Sequence, residues 1–175
     1  YWENLGDVNF EKAFYDDPLG IGSHEFSYTT GDFNADGWKD ILILEIISSQ
    51  ASRLLINWNP AGNNNEFILE ALSAPEMPAM SYIHQIDAFD YNQDNILDFG
   101  VLAGKSSGNT TTLALYIYEQ SCEGCFALVD SLPVGVHPYN TVFANFSWTD
   151  FNADGWPDLC TSYDEGLDAK LKVWE

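Results

Sequence analysis

The sequence predicts an all-β chain of three like units, each a four-stranded antiparallel sheet. Three observations predict it. An acidic loop of fixed spacing occurs three times, a strand opened by phenylalanine keeps step with it, and no segment carries ten or more residues of helical periodicity with caps.

The loops come first because they set the phase. "GDFNADGWKD" places Asp32, Asn34, Asp36 and Asp40 at positions 1, 3, 5 and 9 of a D-x-N-x-D-G-x-x-D pattern. "DYNQDNILD" repeats it with Asp90, Asn92, Asp94 and Asp98, and "TDFNADGWPD" with Asp150, Asn152, Asp154 and Asp158. Oxygen donors at alternate positions around a tight turn suit a hard cation that takes six to eight oxygens, so three Ca²⁺ sites are expected. An EF-hand is excluded, because its twelfth position needs a bidentate Glu and here holds Ile43, Val101 and Thr161. Each loop instead runs into a short apolar, β-branched stretch, "ILILEII", "FGVLAG" or "LCTSY", so the sites are of strand-loop-strand type. Side chains at positions 1, 3, 5 and 9 are read as donors, with the position-7 carbonyl of Trp38, Ile96 or Trp156 completing each shell. Gly37 and Gly155 supply the positive φ of the turn; Asn95 replaces them in the middle loop, which should bind somewhat more weakly. One such cluster reads equally as a polar turn. Three copies in phase do not.

The period orders the strands. First aspartates fall at 32, 90 and 150, spacings of 58 and 60 residues, while Phe10, Phe67 and Phe126 open "FEKAF", "FILEAL" and "FALVDSL". The middle unit then reads "FILEAL", "YIHQIDAF" before the loop, "LDFGVLAG" after it and "LALYIYE" to end. Four antiparallel strands in a repeat of this length are the arithmetic of a β-propeller blade. The expected organisation is one domain, 1–175, of three repeats at about 1–56, 57–115 and 116–175.

The triplicated loop resembles FG-GAP/VCBS repeats, the calcium-binding blades of integrin α-subunit propellers and of many bacterial surface proteins. The resemblance implies a blade with Ca²⁺ in the hairpin between its first two strands. It implies no single function, because the fold serves adhesion, recognition and purely architectural roles. Propellers close with four to eight blades, so three imply an incomplete ring or part of a larger propeller. "KLKVWE" at one end and "YWENLGDVNF" at the other, joined head to tail, read as one more hairpin like "LLINWNPAGNNNEF". Either the chain is an excerpt of a longer propeller or successive chains complete each other's terminal blades.

Composition narrows the partners. With 46% hydrophobic residues the chain holds enough apolar material for one domain. Its formal charge is −21, and three Ca²⁺ would leave −15, so neither nucleic acid nor an anionic membrane surface is an expected partner. No run approaches eighteen apolar residues, and no membrane insertion is expected. Calcium modules of modest affinity stay loaded outside the cell, so a secreted or surface location is expected. The sequons at Asn109 and Asn145 are compatible with it, with only Asn109, in a loop, expected to be accessible. Cys122 and Cys125, in "CEGC" where other units place hairpin turns, are read as a local disulfide in preference to free thiols, and Cys160 as a buried small apolar residue.

No catalytic constellation is visible, and no enzyme is expected. His24, His84 and His137 fall in different phases of the repeat, and Asp87 reads as a bracing or surface carboxylate. Trp2, Trp58 and Trp174 flank hairpin turns, where packing between blades is the commoner use. The expectation is a calcium-stabilised extracellular structural or adhesive module acting through protein assembly, with itself or with the rest of a larger propeller. The alternatives are recognition of a ligand such as a glycan, and a non-catalytic accessory role beside a polysaccharide-degrading enzyme.

Overall fold

The computed structural model describes residues 2–4, 10–12, 25–48, 51–60, 68–72, 78–137, 144–165 and 168–174. His24, Phe67 and the hairpin turns at 5–9 and 61–67 lie outside them. All regular structure among the described residues is β, in antiparallel open sheets with no closed barrel. Sheet I orders β3 (Glu25–Gly31), β4 (Asp40–Ser48), β5 (Ala51–Trp58) and β6 (Ile68–Ala71) side by side. Sheet II repeats the plan with β7 (Tyr82–Phe89), β8 (Asp98–Ser107), β9 (Thr110–Cys122) and β10 (Cys125–His137). Sheet III has three strands, β11 (Ala144–Thr149), β12 (Asp158–Glu165) and β13 (Asp168–Trp174). A short pair, β1 (Trp2–Asn4) with β2 (Phe10–Lys12), stands apart in pairing.

This corrects the expectation of three four-stranded sheets. The strands that open the second and third sequence units hydrogen-bond to the last strand of the unit before, as β6 does to β5 and β10 to β9. The sheets therefore run out of phase with the repeats at 1–56, 57–115 and 116–175. Of the described opening strands, β2 pairs with β1, which leaves β11–β13 as a sheet of three.

Side chains alternate across each strand, so one sheet can serve two cores. In β8, Phe99, Val101 and Ala103 join the apolar cluster shared with Leu42, Leu44, Leu54 and Ile56 of sheet I. Its Leu102 faces the other way, into a cluster with Phe146, Leu159 and Tyr163 of sheet III. Sheet II is thus covered on both faces, and residues 98–104 of β8 are buried without a break. Packing on sheet III needs a thin strand: a Cβ on Gly100 would stand 3.3 Å from the Phe146 ring. Among the described residues, the outward face of sheet I pairs the buried Glu45 with the part-buried Arg53 directly across on β5.

Candidate functional site

The three acidic loops lie between the first two strands of sheets I, II and III, joining β3 to β4, β7 to β8 and β11 to β12. Their internal bonding is copied from loop to loop. In the first, Asp32 accepts from the backbone N–H of Asp36 (3.0 Å) and of Gly37 (2.8 Å). The Asn34 oxygen accepts from Asp36 N–H (3.1 Å), and the Asp36 carboxylate accepts from Trp38 N–H (2.8 Å). Asp90, Asn92 and Asp94 repeat this set around Asn95 and Ile96, and Asp150, Asn152 and Asp154 around Gly155 and Trp156. In each loop the position-3 amide nitrogen also donates to the position-5 carboxylate.

This winding needs left-handed backbone twice. Gly37, Asn95 and Gly155 have φ of 90°, 68° and 92°, as their residue types foretell. Position 4 is left-handed too, at Ala35, Gln93 and Ala153, with φ near 60°. Nothing in the sequence marks it, since alanine and glutamine pay about 1–2 kcal/mol there.

Position 9 plays a different part from positions 1, 3 and 5. Asp40, Asp98 and Asp158 are buried beneath their loops. One oxygen of each accepts the position-2 N–H, from Phe33, Tyr91 or Phe151 at 2.7–2.9 Å. The other oxygen of Asp40 takes the N–H of Asn59, just past the third strand of sheet I, and that of Asp98 the N–H of Gln120, within the third strand of sheet II. Asp40 and Asp98 thus tie their loops to the third strand of their sheets. Burial raises the pKa of Asp40 and Asp98, aided by the loop carboxylates and opposed by these N–H donors.

The donor set fits a hard divalent cation in kind: carboxylate, amide and backbone oxygens, with no sulfur or imidazole in any loop. Each engaged carboxylate oxygen keeps a second lone pair. Among the described residues, no three His, Cys, Asp or Glu side chains draw together as a group that could hold a metal, because these carboxylates are turned toward backbone N–H groups.

The loops share one rim. Gln93 donates to the Gly155 carbonyl, joining the second loop to the third. The position-7 side chains Trp38, Ile96 and Trp156 are all exposed. Between the second and third loops opens a cavity of about 570 Å³, bordered by Tyr91, Asp130, Trp148, Trp156, Leu159 and Trp174. Sequence reasoning missed it, because its lining comes from both sheets. Burial, then the charges of Asp130 and Glu119, push the Tyr91 phenol up.

The remaining candidates scatter. Asp87, on β7, accepts from Ala88 N–H at 3.0 Å and from the Thr29 side chain of sheet I, so it braces two sheets. His84 is half-buried, its Nε2 lacks a partner, and burial lowers its pKa; His137 is buried at the end of β10. Cys122 and Cys125 form a disulfide across the turn at Glu123 and Gly124. Cys160 is half-buried rather than buried, because it points to the outer side of sheet III beside Val173. Asn109 lies in an exposed turn, and Asn145 is exposed as well, on the outward side of β11, contrary to expectation. Trp58 packs against the core between sheets I and II, and Trp174 against that between II and III.

Residues 32–101, which hold the first two loops, match the family described as FG-GAP-like repeat. A search of curated proteins finds no match.

Proposed function

From the FG-GAP-like repeat at residues 32–101 we propose that this chain is a non-enzymatic, calcium-stabilised module of propeller-type blades that works outside the cell by assembling with protein. Sheets I and II are the blades, and the three described strands of sheet III belong to a third. The observation that carries this reading is the outer face of sheet III, where Leu171 and Val173 are exposed, Leu171 71% accessible. On sheet I the exposed residues Phe26, Tyr28 and Ile47 flank a covered centre of Glu45 and Leu55. Stacked sheets bury such faces against a neighbour. The neighbour is a further blade, from a second copy or from the remainder of a larger propeller.

Calcium would be held by Asp32, Asn34 and Asp36, by Asp90, Asn92 and Asp94, and by Asp150, Asn152 and Asp154, with the position-7 carbonyls and the position-9 carboxylates behind them. The ion would neutralise the clustered charge and offset the left-handed backbone at position 4. Asp36→Ala or Asp154→Ala should weaken calcium binding in calorimetric titration; unchanged titrations would remove the metal reading. Molar mass by light scattering, with calcium and after chelation, tests assembly. Growth with concentration in calcium makes the neighbour a second copy, and a monomer throughout refutes self-assembly and leaves the remainder of a larger propeller as the neighbour.

A second reading is ligand recognition on the loop rim. It is favoured by the exposed indoles of Trp38 and Trp156, flat amphipathic rings of the kind that stack on sugars. Glycan-array binding by an isolated monomer would select it.

A further inference from the structure

We propose that a cavity between the first and second acidic loops binds a primary ammonium group on an alkyl stem, carried either by a free aliphatic amine or by a lysine side chain of another protein. The site needs neither of the readings above.

The cavity holds about 180 Å³ and is bordered by both loops, the end of β9 and the turn between β9 and β10. Its acidic residues are Asp32 and Glu123, and no basic residue borders it. Gln120, also on its border, is 2% exposed, and its side-chain oxygen Oε1 has no hydrogen-bond partner. The amide cannot turn over to find one, because its Nε2 donates to the carbonyl of Phe33 and the flipped form would set carbonyl against carbonyl. The cavity therefore offers acceptors, one buried amide oxygen and two carboxylates, and asks for donors that carry positive charge. An ammonium group supplies three N–H donors and the charge together. The rest of the border includes Phe33, Ile96 and Leu97. A hydrated divalent cation gains nothing from these side chains, whereas an alkyl stem buries itself against them.

The border is held in place before any ligand arrives. Glu123 sits in the turn that the Cys122–Cys125 disulfide closes, which gives the "CEGC" motif a task at this cavity. The next residue, Gly124, has φ of 69° and lies so near sheet I that a Cβ there would stand 2.9 Å from the Leu72 side chain. Leu97 is seated in the same way, since a Cβ on Gly31 would stand 2.5 Å from its methyl group. Gln120 is fixed at both ends, by Asp98 on its backbone N–H and by Phe33 on its amide. A cavity with its walls already ordered spends little of the binding energy on arranging them. The field of the chain, with its formal charge of −21, draws a cation toward it.

The test uses the full chain, in calcium and again in chelator. Butylammonium chloride is titrated while the side-chain amide signals of Gln120 are followed by nuclear magnetic resonance, with butanol and ammonium chloride as controls at equal ionic strength. Butylammonium should shift those signals saturably, and neither control should do so at the same concentration. Glu123→Gln, at an exposed turn position, should raise the Kd for butylammonium by about threefold or more. A lysine capped at both ends separates the two sources: tighter binding than butylammonium assigns the site to a lysine of another protein, and weaker binding to a free amine. No saturable shift in either solution, an equal shift with butanol, or a Kd that Glu123→Gln leaves unmoved overturns the site. The metal and assembly readings survive that failure, since neither uses Glu123 or the Oε1 of Gln120.

Discussion

The side-chain amide of Gln120, on sheet II, donates to the backbone carbonyl of Phe33 in the first acidic loop, at 2.8 Å and across 87 residues of sequence. The bond is buried, and Gln120 N–H is at the same time held by Asp98 of the second loop. One residue thus reads the position of two successive loops, which makes the rim a connected structure. Gln120→Leu keeps the volume and removes the donor, stranding a buried carbonyl. Urea unfolding should show a loss of about 1–3 kcal/mol; a neutral result would mean that water reaches Phe33.

The loop aspartates should divide into two classes when calcium is absent. In chelator, Asp98→Ala strands the N–H groups of Tyr91 and Gln120 and should cost about 2–4 kcal/mol. Asp94→Ala, at an exposed position, should cost under about 1 kcal/mol there and act mainly on the calcium-dependent increment. Equal losses in chelator would mean that position 9 has no staple role.

Stability should respond to pH through His84. Burial lowers its pKa in the folded chain below the ordinary 6.5, so the unfolded chain binds the proton more readily. The contribution is fully present above pH 6.5 and is lost as pH falls from there through the folded value. Between pH 7 and pH 5 the melting temperature of the native chain should therefore drop more than that of His84→Gln, whose difference from the native chain isolates this residue from the carboxylates. Parallel curves would show that His84 takes up its proton equally in both states.

Gly135 on β10 marks the contact of sheet II with sheet III, since a Cβ there would stand 2.7 Å from the Tyr163 ring. Gly135→Ala must move that ring and should cost about 1–3 kcal/mol by denaturant unfolding. Tyr163→Leu beforehand should shrink the penalty, and an undiminished penalty would place the strain elsewhere.

The sequence by itself determined what local spacing can determine. Alternating oxygens, a turn residue at position 6 and a β-branched run after position 9 specify a loop joining two adjacent strands, and the 58- and 60-residue spacings specify its recurrence. The likeness of residues 32–101 to FG-GAP-like repeats was legible in the same residues. Only the tertiary structure decided which strands share a sheet, because pairing of β10 with β9 or β6 with β5 crosses the unit boundaries that the period suggests. It also decided that Asp40 and Asp98 work as buried staples, since their partners Asn59 and Gln120 lie 19 and 22 residues on and meet them only when a third strand is in place. The cavity beside Trp148 and Trp174 belongs to the same class. It is bounded by two sheets, and a surface made by packing leaves no periodic trace in either strand that lines it.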